Sequence, residues 1–167
     1  MPDDSTPIRS APSAVRICPT DPGAPAARAL IDALSDTLAD ITGDSGRASF
    51  DPEDVRGPRA MFVVAFGPDG EAVGCGAFRP LDGDTAELKR MYARPGSRGV
   101  GDAVLDFLES AAMAVGYSAL WLETRRVNRR AVDFYLRRGY REIPRFGRYA
   151  GMPEAICLAR ALGKTPA

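Results

Sequence analysis

The sequence contains no histidine among its 167 residues. Serine–histidine–aspartate and cysteine–histidine catalysis are therefore excluded, as are histidine-ligated metal sites. Any general base must be Asp, Glu, Tyr, Lys, Cys or a chain of water molecules. The three cysteines are odd in number and widely spaced, so they predict neither a disulfide framework nor a zinc site. We expect no bound metal and a reducing, cytoplasmic location.

Long apolar runs are also missing. No stretch approaches the roughly 20 apolar residues that a membrane-spanning helix needs, and the N-terminus lacks the basic-then-apolar order of a signal peptide. We therefore expect no membrane partner. The content of 45% hydrophobic and 26% charged residues is typical of globular proteins.

The length of 167 residues suits one domain with a single core. We predict that this domain covers residues 14–162. Residues 1–13 are rich in Pro, Ser and Asp and are predicted to be a disordered tail, and residues 163–167 form a short C-terminal tail.

Net charge is zero, yet the charge is unevenly distributed along the chain. Residues 1–84 carry 14 acidic and 7 basic side chains, a net charge of −7, whereas residues 85–167 carry 8 acidic and 15 basic ones, a net charge of +7. A positive second half would attract a phosphorylated ligand. Overall neutrality and the missing nucleic-acid motifs argue against nucleic acid as a partner.

Small residues fill the turn between a strand-like run, residues 86–93, and an amphipathic run, residues 104–115. The first N–H groups of a helix have no partner within it and the dipole there is positive, so this turn predicts a phosphate site. A turn without a ligand is the alternative. The turn consists of Arg98, Gly99, Val100, Gly101, Asp102 and Ala103.

Two common phosphate motifs do not fit this turn. A P-loop needs Lys and then Ser or Thr after its last glycine, and neither pair occurs here. A dinucleotide fingerprint needs a third glycine where Val104 stands. The pattern that does fit is Arg98-x-x-Gly101-x-Ala103.

Two further blocks follow in the same half of the chain. One is Glu123-Thr124 at the end of a strand-like run, and the other begins at Asn128 and reads Asn-x-x-Ala-x-x-Phe-Tyr-x-x-x-Gly-Tyr. With the turn, these blocks resemble the GNAT superfamily of N-acetyltransferases over roughly residues 60–162. The turn is similar to the coenzyme A signature of that family.

The resemblance implies an α/β (α+β) chain with the GNAT fold. Its mixed central sheet has about six or seven strands, an antiparallel meander followed by a parallel pair splayed around the cofactor, with helices on both faces. The hydrophobic periodicity predicts the elements themselves. Strands are expected at residues 15–18, 61–66, 72–79, 85–93, 118–124, 140–143 and 155–161, and helices at 26–41, 101–115 and 129–138.

The resemblance also implies acetyl-coenzyme A as co-substrate, without a metal. The backbone of the turn is expected to hold the pyrophosphate, and Met91, Tyr92 and Ala93 the pantetheine arm and thioester. Asn128 is expected to hydrogen-bond the arm or to cap its helix. Tyr135 lies near the sulfur in this scheme.

Acetyl transfer needs an acid for the departing thiolate and a route for the amine proton. The resemblance assigns Tyr135 as the acid, with simple aromatic packing as the alternative. Glu87 is the candidate base, and the alternative is a structural ion pair with Lys89 or Arg90. Glu123 is a candidate for orienting the acceptor. Solvent can also accept the amine proton, in which case no dedicated base exists.

The acceptor is expected to be the primary amine of a small molecule. Residues 42–59 and the stretch that contains Arg145 and Tyr149 are candidates for its pocket. The acidic first half favours a cationic amine, whereas Arg145 and Arg148 favour an acceptor with a carboxylate. Protein lysine or N-terminal acetylation, a non-catalytic acyl-coenzyme A sensor, and a homodimer remain open.

Overall fold

The computed structural model describes residues 15–163. Of the predicted tails, residues 1–13 and 164–167 lie outside this range. Within it, one seven-stranded sheet is flanked by three helices. The strands are β1 (Arg16–Pro19), β2 (Met61–Phe66), β3 (Ala72–Pro80), β4 (Thr85–Ala93), β5 (Ala119–Arg125), β6 (Arg141–Ile143) and β7 (Ala155–Ala161), and the helices are α1 (Pro25–Thr42), α2 (Val100–Ala114) and α3 (Arg129–Arg137).

The sheet is mixed, as predicted. Its strand order is β1-β2-β3-β4-β5-β7-β6. Strands β1 to β4 form an antiparallel meander, β4 and β5 are parallel, and β7 runs antiparallel to both β5 and β6. The parallel pair follows from the α2 crossover, because a helix between two strands returns the chain to the same edge.

Strands β4 and β5 part soon after they meet. They pair only where Thr85–Glu87 faces Ala119–Trp121, while β5 stays paired with β7 as far as Arg125. A bulge in β4 adds to the divergence, since two residues, Arg90 and Met91, oppose one residue of β3. Arg90 has φ of 54°. The result is a wedge-shaped opening in the middle of the sheet.

The two faces of the sheet carry separate cores. Helix α2 packs on one face, and α1 packs on the other over Phe62, Val64 and Ala77. Gly76 allows the close approach of α2, because a Cβ there would lie 2.5 Å from the sulfur of Met91 and 2.8 Å from Val104.

The periodicity of residues 101–115 predicts a buried face on α2, and one of its positions is wrong. Of the predicted residues, Val104 and Leu108 are buried and Phe107 and Ala111 pack against the core, but Val115 is exposed and lies past the end of the helix. Leu105 and Ala112 are buried as well.

The predicted elements otherwise agree with the structure to within one or two residues. Residues 42–59, predicted as a loop with one helical turn, contain two 3₁₀ turns, at Arg47–Ser49 and Pro52–Val55. A third, Gly147–Tyr149, lies between β6 and β7. None of the described helices has the length and apolar character needed to cross a membrane.

Candidate active site

Three adjoining cavities follow the opening between β4 and β5. The turn cavity, about 360 Å³, lies beside the start of α2. The central cavity, about 150 Å³, shares Met91, Asn128 and Tyr135 with it. The outer cavity, about 310 Å³, shares Glu87 and Tyr149 with the central one. Together the three cavities connect the glycine turn to the 3₁₀ turn before β7.

Most residues predicted to hold the coenzyme line the turn cavity. Arg98 and Ala103 do not line it, and Arg98 is exposed. The residues that do are Met91, Tyr92, Ala93, Gly99, Val100, Gly101, Asp102, Asn128 and Tyr135.

The start of α2 presents free donors to this cavity. Gly99 has φ of 69°, and the first backward hydrogen bond of the helix runs from the Ala103 N–H to the Gly99 carbonyl at 3.0 Å. Within residues 15–163, the N–H groups of Gly101 and Asp102 have no backbone acceptor. These donors and the positive end of the helix dipole fit a phosphate group.

Asp102 is the one acidic residue at this turn, and it is paired with a cation. Arg138, just after α3, donates to Asp102 at 3.3 Å and also contacts Asp106. The same guanidinium lies 2.8 Å from the carboxylate of the buried Glu109. Arg160 also contacts Glu109. Arg138 therefore compensates the negative charge next to the free N–H groups.

Tyr135 lies on the inner face of α3, between the turn and central cavities. Its ring packs edge-on against Phe134 and Tyr140, with centroids 5.1 and 5.5 Å away. Among the described residues, none forms a hydrogen bond with its hydroxyl. Burial raises the pKa of this hydroxyl, so it stays protonated at neutral pH and can donate a proton.

Asn128 caps α3. Its side-chain oxygen accepts a hydrogen bond from the Ala131 N–H at 3.3 Å. Asn128 therefore has the capping role that the sequence offered as one of two possibilities. It also lines both the turn cavity and the central cavity. Its contact with the coenzyme stays a prediction.

Glu87 is fully enclosed in a polar network between the central and outer cavities. Its carboxylate accepts from the Tyr149 hydroxyl at 2.8 Å and from Arg79 at 3.3 Å. The Lys89 ammonium lies 3.7 Å from the same carboxylate and donates to the Tyr149 hydroxyl at 3.1 Å. Burial lowers the pKa of Lys89 and raises that of Tyr149. The lysine, the hydroxyl and the carboxylate thus form a continuous hydrogen-bonded chain.

The partners of Glu87 differ in part from those weighed from the sequence. Lys89 is close to it, whereas Arg90 forms no ion pair with it. The bulge explains the difference, because it turns the Arg90 side chain towards α1, where it reaches Ser35. Arg79, the additional partner, faces Glu87 across the β3–β4 register.

Glu123 lines the central cavity from the opposite strand, β5. It accepts from Arg125 at 2.5 Å, and Arg125 lies 3.4 Å from Asp44. Burial raises the pKa of Glu123, and the positive charges of Arg125 and Lys89 offset part of that rise. The central cavity therefore has carboxylates on two of its walls.

A loop over residues 42–50, the covering loop, closes the central cavity on the α1 side. Arg90 donates to the Ser45 carbonyl at 3.3 Å, and Arg148 donates to the Ala48 carbonyl at 2.8 Å. Arg125 adds its contact with Asp44. Arginines from three distant segments thus hold the loop in place.

Residues 27–140 match the family model described as the acetyltransferase (GNAT) family. The chain is also 32% identical over 136 residues to a protein named IAA acetyltransferase from Azospirillum brasilense, an alignment that covers 80% of this chain and 88% of the relative. The chain belongs to the GNAT acetyltransferase family.

Solved structures show the same fold. A Klebsiella pneumoniae protein, described as a candidate acyl-CoA N-acyltransferase, has a TM-score of 0.75 at 27% identity, over 90% of this chain and 99% of that one. An aminoglycoside 6'-N-acetyltransferase complexed with coenzyme A has a TM-score of 0.66 at 19% identity, over 91% and 99% of the two chains. The predicted GNAT fold is confirmed, and the protein is an acyltransferase enzyme.

The structure separates one predicted residue of this GNAT chain from the others. Arg145 lines a shallow surface depression with Arg126 and Glu142, apart from the three cavities. Tyr149, predicted with it, is buried against Glu87. The stretch between β6 and β7 therefore contributes to the central cavity through Tyr149 alone.

Sequence reasoning gave no site role to several side chains of the GNAT cleft: Arg79, Lys89, Arg125 and the guanidinium of Arg90. Lys89 could have been found, because it stands two residues after Glu87 and side chains two apart on a strand share a face. The other three depend on strand register and on the bulge. No group of three acidic or cysteine side chains able to hold a metal occurs in residues 15–163.

Proposed function

We propose that this GNAT chain transfers the acetyl group of acetyl-coenzyme A to the primary amine of a small molecule, directly, in a ternary complex. The observation that carries the proposal is the position of Tyr135. It lines both the turn cavity and the central cavity, so one side chain borders the space for the coenzyme and the space for the acceptor.

The turn cavity is where we place the coenzyme. The free N–H groups of Gly101 and Asp102 would hold its pyrophosphate, and β4 from Met91 to Ala93 would run along its arm. Acetyl-coenzyme A supplies the activated acetyl group. The glycine at position 101 adds no side chain to the space between α2 and Phe134. A Cβ there would lie 3.5 Å from the Phe134 ring.

The proton steps use residues at the junction of the cavities. As the amine nitrogen bonds to the acetyl carbon and the bond to sulfur breaks, Tyr135 donates its proton to the departing thiolate. Glu87 takes the proton of the amine, directly or through water. The Tyr149 hydroxyl and the Lys89 ammonium keep the Glu87 carboxylate in place by the hydrogen bond and the charge described above.

The size of the central cavity favours a small molecule over a protein lysine. Its volume is about 150 Å³ and the covering loop closes one side. The names of the similar proteins agree with a small acceptor, since one is called an IAA acetyltransferase and another an aminoglycoside 6'-N-acetyltransferase. A lysine side chain on a folded protein would need a more open groove.

Thermal denaturation with acetyl-coenzyme A, coenzyme A, NAD and ATP tests the coenzyme assignment. A ligand at about 100 times its Kd stabilises by roughly 2.7 kcal/mol, which raises the Tm of a domain of this size by several degrees. We expect this shift with the two coenzyme A ligands alone. Release of free thiol from acetyl-coenzyme A with a panel of amines and peptides then tests turnover. Binding without release for any acceptor would contradict the proposal and favour a sensor.

A further inference from the structure

One buried cation of the central cavity has no ion-pair partner in residues 15–163. Lys89 lies 3.7 Å from the carboxylate of Glu87, and Arg125 donates to Glu123 at 2.5 Å. Arg90 is only 8% exposed, and no carboxylate of residues 15–163 lies within 4.0 Å of it. Of the three cations that line this cavity, Lys89 and Arg125 therefore have carboxylate partners, whereas Arg90 has none within the described residues.

The guanidinium of Arg90 is only partly satisfied. Its Nη1 donates to the Ser35 hydroxyl at 3.1 Å and to the Ser45 carbonyl at 3.3 Å. Its Nη2 is buried and has no hydrogen-bond partner in the described part of the chain. A buried cation without a counterion is unfavourable, and a buried N–H without an acceptor adds to that cost.

The guanidinium of Arg90 lies at the wall of the central cavity, between an aromatic ring and a glycine. The Phe50 ring lies under the guanidinium, 5.2 Å away, and Gly46 lies over Nη2 without a side chain. Both residues line the central cavity, as Arg90 does. Gly46 and Gly43 have φ of 74° and 79°, so this part of the covering loop turns at two glycines. A small displacement of the turn at Ser45 and Gly46 would expose both nitrogens to the cavity.

We propose that the acceptor is an amino carboxylate, whose amine lies at Glu87 and whose carboxylate pairs with Arg90. This inference rests on the proposed acetyl transfer to an amine. The carboxylate supplies the counterion that Arg90 lacks, and it replaces the Ser45 carbonyl as an acceptor for the guanidinium. With that carbonyl displaced, each terminal nitrogen has a donor available, and a planar guanidinium then matches a carboxylate in two parallel hydrogen bonds.

The same charges disfavour polycationic acceptors. A polyamine or an aminoglycoside would bring further ammonium groups close to Arg90, which has no carboxylate partner in residues 15–163. Asp44, the acid of the first half that lines the central cavity, is already paired with Arg125. A volume of about 150 Å³ also suits a molecule of amino-acid size.

Paired acceptors test the inference in the wild-type protein. Each of the common amino acids is compared with its own amide, which keeps the amine and side chain but removes the carboxylate charge. Thiol release is measured at equal concentrations of free amine, since amides have less basic amines. We expect kcat/KM for the best amino acid to exceed that for its amide at least about tenfold, as a charge-assisted hydrogen bond allows.

Arg90→Gln sharpens the comparison. The variant keeps two N–H donors and removes the charge, so the preference for acid over amide should disappear while the KM for acetyl-coenzyme A stays unchanged. Arg126→Gln is the matched control, because Arg126 is exposed and pairs with Glu142 away from the cleft. It should keep the full preference.

Three results are informative. Equal rates with acid and amide, or faster acetylation of a polyamine or aminoglycoside, would overturn the amino-carboxylate assignment and leave acetyl transfer intact. No thiol release with any amine would overturn the proposed function. In that case the melting temperature with coenzyme A plus each amino acid still tests whether Arg90 binds a carboxylate. Stabilisation by an amino acid that is lost in Arg90→Gln supports this binding, and the absence of any stabilisation overturns it.

Discussion

The turn cavity and the central cavity are built in different ways. In the turn cavity, the donors that fit a phosphate are main-chain N–H groups of one short stretch at the start of α2, and side chains of α1 and α3 complete the lining. The central cavity takes Asp44, Glu87, Glu123 and Tyr149 from four separated segments, and it offers side chains. A site made from one short stretch can be found as a motif, whereas a site assembled across the sheet depends on the whole fold.

The largest effect is expected at Tyr135, where the two cavities meet. Tyr135→Phe keeps the ring packed against Phe134 and Tyr140 and removes only the hydroxyl that protonates the thiolate. We expect kcat to fall about 10²- to 10⁴-fold with little change in the KM for acetyl-coenzyme A. Because burial raises the pKa of this hydroxyl, it stays protonated from pH 6 to 9 and should add no alkaline limb to the wild-type pH–rate profile.

Tyr140→Phe is the matched control for that variant. The Tyr140 ring lies 5.5 Å from that of Tyr135, and its hydroxyl is buried without a partner in the described residues. Removing this hydroxyl should leave the rate unchanged and should not lower the Tm. If both variants lose activity equally, the hydroxyl of Tyr135 has no special role and the two cavities are not linked by it.

Glu87→Gln tests the central cavity alone. We expect kcat/KM to fall by about 10²-fold or less, because solvent can also take the amine proton. The Tm should fall too, since Lys89 loses its buried carboxylate. Glu142→Gln, on the exposed edge strand β6, is the control. A rate within about twofold of wild type at every pH would remove Glu87 as the base.

The smallest effect is expected at the turn cavity. Arg138→Gln frees the Asp102 carboxylate beside the predicted pyrophosphate site, and we expect the Kd for coenzyme A, measured by calorimetry, to rise about two- to fivefold. The double variant Arg138→Gln/Asp102→Asn should recover the wild-type Kd. Pantetheine, which lacks the phosphates, should bind all variants equally. Failure of Asp102→Asn to restore affinity would mean that Arg138 acts through the fold and not through charge.

Much of the fold could be predicted from sequence because hydrophobic periodicity and turn residues are local signals. The strands at Met61–Phe66 and Ala155–Ala161 agree residue by residue with the prediction. The free donors at Gly101 and Asp102 were also foreseen, since they follow from a strand, a glycine turn and a helix in that order.

The rest depended on contacts between distant segments. The bulge at Arg90 exists only because β4 pairs with β3, and no local signal predicts a non-glycine residue with φ of 54°. The pairing of Arg79 with Glu87 follows from register alone. Arg145 and Tyr149 stand four residues apart, and the 3₁₀ turn between β6 and β7 sends one to the surface and the other into the core.

The contacts that hold the covering loop have an evolutionary consequence. Arg90 and Arg148 bind it through the main-chain carbonyls of Ser45 and Ala48, which every amino acid possesses. Most side chains of the loop can therefore be exchanged while its path over the central cavity is retained. Substitutions there can change which acceptor is preferred at little cost in folding stability. Homologues that catalyse the same reaction can therefore come to use different acceptors through mutations in this loop alone.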